Sequence, residues 1–382
     1  MKNESNLLKI IPVMFAFFAM GFVDLVGIAT NNIKADFGLN DTTTNLLTSM
    51  VFFWFFILSV PTGLLMNKIG RRKTVILSLF VTFLAMIVPF IDYNLPLILV
   101  SFALLGIGNT LMQVSLNPLV TNIISGERLA SALTLGQFFK AIASALAPMI
   151  AGWAALKFGS WKMLYPIFAV ASLIPLLWLS FTPIKEVAIE KSTSTIGKCI
   201  ALLGNKMILL LFIGILMHVG IDVGINITSP KILMERLGME LSVAGYSITI
   251  YFIARTIGCF SGAFILSMVS AKKFFLISVF IMVIGIAGLL VFQNITLLYI
   301  CIALMGLGNS NIFPIIFSQA MQIFPDRNNE VSGLMIMGIA GGAILPIFMG
   351  LASDALNSQI GALIVIALCI GYLILISSKI KK

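Results

Sequence analysis

Residues 103–120, ALLGIGNTLMQVSLNPLV, and residues 303–320, ALMGLGNSNIFPIIFSQA, are two versions of one segment set 200 positions apart. In register, Gly106, Gly108 and Asn109 match Gly306, Gly308 and Asn309. Other pairs keep nearly the same spacing: Gly63 with Gly262, Arg72-Lys73 with Lys272-Lys273, Pro148 with Pro346, and Gly152 with Gly350. Two halves therefore repeat in the same order and the same orientation. Parallel repeats of apolar helices are the mark of a membrane transporter whose binding site lies where the two bundles meet.

Composition agrees. The chain has 382 residues, 60% hydrophobic and only 10% charged. A helix needs about 20 apolar residues to cross a bilayer. Twelve such runs are legible, at 7–33, 43–66, 73–91, 95–124, 129–156, 161–182, 206–228, 241–269, 273–292, 295–323, 330–354 and 358–378. They are long and lack period-two alternation, which excludes a strand barrel. The expected fold is an all-α membrane protein of twelve transmembrane helices. Its N-terminal six-helix bundle is expected over 1–182, its linker over 183–204 and its C-terminal six-helix bundle over 205–382. The linker is rich in Lys, Ser and Thr, with a short interfacial helix as an option.

A net charge of +10 raises the question of nucleic acid, but the distribution answers it. With the N-terminus inside, Lys68, Arg71, Arg72, Lys73, Arg128, Lys185, Lys191, Lys198, Lys206, Lys272, Lys273, Arg327 and the terminal lysines fall on the cytoplasmic side. Lys34, Lys157, Lys162, Lys231 and Arg236 fall outside, and Lys140 and Arg255 within helices. That bias places both termini in the cytoplasm, with lipid headgroups as the basic residues' partners. The expected address is a bacterial inner membrane, and a monomer is the expected state. The first run is too long for a signal peptide and carries Asp24 in mid-run. Cys199, Cys259, Cys301 and Cys369 are scattered and make no metal spacing. Neither a catalytic triad, a P-loop nor a zinc motif is present, so no enzyme activity, cofactor or ATP drive is expected.

Ionisable groups at mid-membrane cost about 2.5–3.5 kcal/mol each on insertion scales and normally mark function. Asp24, in FAFFAMGFVDLVGIA, reads as a proton or sodium site whose pKa desolvation raises, or as a structural partner for Lys140. Asp222, in HVGIDVGIN, holds the corresponding place in the second half, with His218 one turn before it on the same face. Lys140, in GQFFKAI, either pairs with Asp24 or binds an anionic group on the solute such as a carboxylate. The mid-helix amides Asn109, Asn117, Asn226, Asn309, Asn311 and Gln319 suit hydroxyls, because each carries donors and acceptors. Phe53 and Trp54 are candidates to stack on a sugar ring, although packing is the commoner role of an aromatic here.

The loop Gly63-Leu-Leu-Met-Asn67-Lys68-Ile-Gly70-Arg71-Arg72-Lys73 resembles the signature loop of the major facilitator superfamily, with Asn67 at the position of its usual acid. Asn67, Arg71 and Lys73 are thereby implicated in conformational control, through a lock weakened by loss of that acid. Further stretches resemble the fucose/glucose/galactose–proton symporter family. Gln113-Val-Ser-Leu-Asn117-Pro118 is similar to its E-T-A-A-N-P, and His218-Val-Gly-Ile-Asp222-Val to its Y-V-G-A-E-V. FPIIFS from Phe313 and GGAILPIFMGLASD from Gly341 resemble its Y-P-T-I-F-S and G-G-G-I-V-T-P-x-x-G-x-x-S-D. The resemblance implies sugar contacts at Gln113, Gln137 and Asp222 and a conformational role for Arg255. The polar residues read on their own add Asn117, Lys140, His218, Asn226 and Asn309 as expected solute contacts, and Asp24 with Asp222 as the expected ion-coupling acids. Gln113 stands at a family glutamate and cannot carry a proton. Ile28 aligns with the family's first-helix aspartate, one turn from Asp24.

The function expected is ion-coupled uptake of a monosaccharide or related polar solute, with a proton as the cation and sodium as the other candidate. A drug/proton antiporter of the same fold would use the same acids in an apolar cavity. A non-transporting receptor would be expected to add soluble domains or long tails.

Overall fold

The computed structural model describes residues 2–39, 41–124, 126, 128–186, 195–239 and 241–380. The linker stretch 187–194, with Lys191, and the side chains of Ile28, Pro148 and Gly152 lie outside the described residues. Among those described there is no strand. Among the described residues, eleven helices are long and apolar enough to cross a membrane. The remaining run, 7–33, is helical in two pieces, α1 (Lys2–Met20) and α2 (Leu25–Phe37), with a 3-10 turn over Gly21–Asp24 between them.

One compact unit comprises Met1–Ser125, Gly136–Ala201 and Phe324–Met337. It contains α1, α2, α3 (Asp41–Ile69), α4 (Arg71–Ile91), α5 (Leu95–Thr121), most of α6 (Arg128–Phe158), α7 (Leu164–Phe181) and the short linker helix α8 (Ile196–Ile200). The other comprises Gly126–Leu135, Leu202–Ile323 and Gly338–Lys382. It contains α9 (Lys206–Leu237), α10 (Leu241–Ala244), α11 (Tyr246–Met268), α12 (Ala271–Val291), α13 (Ile295–Asn309), α14 (Ile312–Ile323), α16 (Gly341–Leu356) and α17 (Ile360–Ser377). Helix α15 (Asn328–Met337) belongs with the first unit, and the opening turns of α6 with the second. These units differ from the division at 182 and 205 only by that pair of short segments and the linker's end, and the two segments are themselves repeat equivalents.

The repeat is visible in packing within each unit. A Cβ on Gly106 would sit 2.7 Å from the Val51 carbonyl of α3, and one on Gly306 would sit 2.4 Å from the Tyr251 carbonyl of α11. A Cβ on Gly108 would sit 3.2 Å from the Ser78 carbonyl, and one on Gly308 would sit 2.6 Å from Ser278's. Lipid offers no hydrophobic drive between helices, so backbones that approach this closely supply the packing instead. The same helices start alike. Asn94 caps α5 by accepting from the Leu97 amide at 3.0 Å, and Asn294 caps α13 by accepting from the Thr296 amide at 2.9 Å.

The first unit is pinned at two ends. At the end that carries the loop between α4 and α5, the Tyr93 hydroxyl donates to Asp36 at 2.7 Å, and Lys162 lies 3.6 Å over the Tyr93 ring. Burial, then the bond to Asp36, raises the Tyr93 pKa above the usual phenol value. At the signature loop, Arg71 is nearly buried. It donates from Nε to Asn329 at 2.7 Å, and from Nη1 to the Pro118 carbonyl, Thr121 and Asn122. Asn67 donates to Glu330 at 3.0 Å and accepts from Asn329 at 2.7 Å. The carboxylate missing from the loop is thus supplied by Glu330 of α15. Glu186 accepts from the amides of Arg71 at 2.6 Å and Arg72 at 2.8 Å, a negative charge at the N-terminus of α4. Lys73 is exposed and makes no hydrogen bond among the described residues, while Arg72 donates to the carbonyls of Leu179 and Ser180.

Cys199 reports on this lock. It is fully buried on α8, and burial together with the negative charge of Glu330 pushes its thiol up to about 11 from 9.0. At a given pH below both values the thiolate is about a hundredfold scarcer than for a free cysteine, which slows alkylation. Maleimide labelling of Cys199 at pH 8 is expected to be slow in the wild type and at least about tenfold faster in Arg71→Ala, because loosening α15 exposes the thiol. Equal rates in the two proteins would disprove the coupling.

Candidate substrate and ion site

In the first unit the polar residues gather at the interruption of the first helix. Gly21 lets that turn approach α6: a Cβ there would lie 2.4 Å from the Lys140 carbonyl. A 3-10 turn in a membrane helix marks a place where geometry serves something other than regular packing. Asn109 of α5 donates to the Met20 carbonyl at 2.7 Å, at the point where the pitch changes. Gln113 donates to the Asn109 side chain at 2.8 Å, and Asn117 to the Gln113 carbonyl at 2.8 Å. These three amides, four residues apart, form a ladder up one face of α5. The ladder ends on Asn117 Oδ1, buried without a partner. Trp54 Nε1, on the α3 face that meets Gly106, is likewise buried and unpartnered, whereas Phe53 is exposed.

Asp24 closes the turn. It is exposed rather than desolvated, and its carboxylate accepts from the Ser144 hydroxyl of α6. Ser144 also donates to the Lys140 carbonyl at 3.0 Å. The ion pair between Asp24 and Lys140, one of the two sequence readings, does not form: no such pair is present among the described residues. Ser144 takes the place opposite Asp24. Lys140 is half-buried with no hydrogen bond or ion pair among the described residues, as is Gln137.

The second unit carries a connected network. Arg255 Nη1 donates to Asp222 Oδ2 at 2.7 Å, with side-chain exposures of 20% and 17%. The Tyr251 hydroxyl donates to Asp222 Oδ1 at 2.6 Å. Asn309 Nδ2 donates to the Tyr251 oxygen at 3.0 Å, and His218 Nδ1 meets Asn309 Oδ1 at 2.7 Å. With the Asn309 amide donating to Tyr251, its oxygen accepts, so His218 is the donor. Asn309 also reaches the His218 carbonyl at 3.4 Å. The repeat pair Asn109 and Asn309 therefore does the same thing twice, tying the helix that carries the repeat to the first helix of its own half. Asn226 donates to the Asp222 carbonyl at 2.9 Å and keeps a buried, unpartnered Oδ1.

Asp222, Arg255, His218 and Asn309 are thus brought together, with Asn226 one turn along. Tyr251 joins them and was not among the expected residues; its one signal was its place four residues before Arg255. Ser144 was missed likewise, four residues after Lys140. Among the described residues, no three His, Cys, Asp or Glu side chains gather as a metal site.

The comparisons with known proteins follow this geometry. The Brucella abortus glucose/galactose transporter is 26% identical over 373 residues, covering 94% of this chain and 90% of that protein. A putative glucose/galactose transporter of Helicobacter pylori is 25% identical over 403 residues, covering 99% and 98%. The crystal structure of the transporter FucP in the outward conformation superposes with a TM-score of 0.82 at 20% identity, over 98% of this chain and 100% of that one. The Major Facilitator Superfamily profile matches residues 13–335 and 210–380. The chain is a multi-pass integral membrane protein, and it belongs to the Major Facilitator Superfamily.

Proposed function

We propose that the chain is a secondary active transporter that takes up a monosaccharide or related small polar solute with a cation, most simply a proton, by alternating access. The observation that carries this reading is the pair of polar clusters at repeat-equivalent places in otherwise apolar helices. One is the amide ladder and Asp24; the other is the Asp222 network. The buried, unpartnered amide oxygens of Asn117 and Asn226 and the indole N–H of Trp54 are acceptors and a donor that a polyhydroxylated solute can use. The names carried by the relatives in Brucella and Helicobacter point to sugars of the same class.

The bonding supports the following roles. Asp24, exposed and held by a hydroxyl, is the ion-coupling residue. Asp222 is the second coupling candidate, but Arg255 already supplies its counter-charge, and a guanidinium keeps its proton. The Asp222 network is therefore assigned to solute contact and to holding α9, α11 and α13 in one arrangement. Gln113, Asn117, Gln137, Lys140, His218, Asn226 and Asn309 are assigned to the solute. Asn67, Arg71 and Arg255 are assigned to conformational control. Lys73, being exposed, is assigned to the loop's positive charge. The proposed setting is a bacterial inner membrane with both termini cytoplasmic, and each chain working as a monomer.

The test is uptake into proteoliposomes of labelled fucose, glucose, galactose and N-acetylglucosamine under an inward proton gradient, an inward sodium gradient, or neither. Gradient-driven accumulation of one of these supports the reading and names the ion. Proton-driven extrusion of lipophilic cations without sugar flux would instead favour the drug/proton antiporter. Folded protein with no flux of either kind would sink transport altogether.

A further inference from the structure

We infer that the solute is a sugar carrying one carboxylate, a hexuronate or aldonate, and that Lys140 is the residue that binds this group. The inference rests on the sugar-transport reading above and narrows its substrate class.

Lys140 lies twelve residues into the 31-residue α6, about 18 Å along its axis and so well inside the apolar layer. An ammonium at that depth is costly and normally finds a partner. Here it has none among the described residues. The acid across the helix contact, Asp24, is engaged by Ser144. Gln137, Lys140 and Ser144 share one face of α6, three and four residues apart. The amide of Gln137 likewise makes no hydrogen bond among the described residues. A cation and an amide side by side match a carboxylate and its neighbouring hydroxyl.

Charge counting points the same way. In the second unit Asp222 and Arg255 cancel within one salt bridge. In the first, ionised Asp24 and Lys140 sum to zero although they do not touch. Once Asp24 takes a proton, Lys140 is left as an uncompensated charge. A neutral sugar leaves it so, and the loaded carrier holds one net positive charge. A monoanion restores zero, so that empty and loaded carriers are both neutral as they cross. One proton and one monoanion moving together transfer no net charge.

Proteoliposomes of the full chain test this with labelled galactose, galacturonate, glucose, glucuronate and gluconate. The expected result is an apparent affinity at least about tenfold higher for an acid sugar than for its neutral counterpart, the scale of one charge-assisted hydrogen bond. Uptake of the acid sugar should follow an imposed pH gradient and ignore a valinomycin-set potassium potential. Lys140→Gln should erase the preference and Lys140→Arg retain it. On wild-type protein in detergent, galacturonate but not galactose should raise the unfolding temperature, which keeps the test independent of how the variants fold.

Neutral sugars carried as well as or better than the acids, with that ratio unchanged in Lys140→Gln, would overturn the inference and leave sugar transport standing. So would a Lys140→Gln/Asp24→Asn double variant that regains the neutral-sugar uptake each single variant loses, since that is the signature of a transient internal ion pair. Absence of flux for every sugar, neutral and acidic, would overturn both this inference and the reading beneath it.

Discussion

Asp24→Asn is expected to abolish concentrative uptake while sparing exchange of solute across the membrane. A one-proton symporter facing a pH difference of two units can concentrate its solute about a hundredfold, since each unit is worth about 1.4 kcal/mol. The variant should reach only the external concentration, a ratio of about 1, because nothing links the solute to the gradient. Counterflow, in which internal unlabelled solute drives entry of label, needs no ion movement and should persist. The substitution keeps an acceptor for the Ser144 hydroxyl, so the turn at Gly21–Asp24 should stay in place. Equal loss of uptake and counterflow would assign Asp24 to binding or structure rather than to coupling. Preserved accumulation would move the coupling to Asp222.

Arg255→Ala should be the most destabilising single change in the polar network of the second unit. It strands a carboxylate that is largely shielded from water and removes the guanidinium that pairs with it. Breaking one side of a buried pair costs about 3–5 kcal/mol, and the partial exposure of both partners argues for about 2–3 kcal/mol here. The loss should be partly recovered in Arg255→Ala/Asp222→Asn, which removes the stranded charge along with its partner. Tyr251→Phe, which withdraws one hydrogen bond from Asp222 and one from Asn309, should cost about 1–2 kcal/mol. Thermal unfolding in a single detergent measures the wild type, these three variants and Asp222→Asn, which closes the cycle. Additivity of the two charge deletions would mean that the bridge carries no coupling energy.

Much of this architecture can be read directly from the chain. Gly106 and Gly306 are legible because close approach of helices leaves a residue with no side chain at a fixed offset, and each meets the backbone of its neighbour as the repeat implies. His218, Asp222 and Arg255 are legible because ionisable or polar groups stand out against apolar helices. Their wiring is not. His218 and Asp222 share a face, yet the hydrogen bonds that join them run through Asn309 and Tyr251, which come from two other helices. The turn at Gly21–Asp24 has no proline and lies in a run apolar on all sides, so no periodicity records the change of pitch. Glu330 and Glu186 escaped notice for a simpler reason. Each acts on the signature loop across 263 and 115 positions of sequence respectively, a distance over which local pattern carries no information. Of the two readings of Lys140, the pair with Asp24 does not form among the described residues, where the Ser144 hydroxyl engages that carboxylate instead.

The hydrogen bonds from His218 through Asn309 and Tyr251 to Asp222 all run in one direction, donor to acceptor. Each link in such a chain polarises the next, so its members act as one unit. Removing any one of them leaves its neighbours short of a partner. The carboxylate at the end of the chain is held by Arg255 and Tyr251 together, so a solute hydroxyl that competes for Asp222 acts on side chains of α9, α11 and α13 at once.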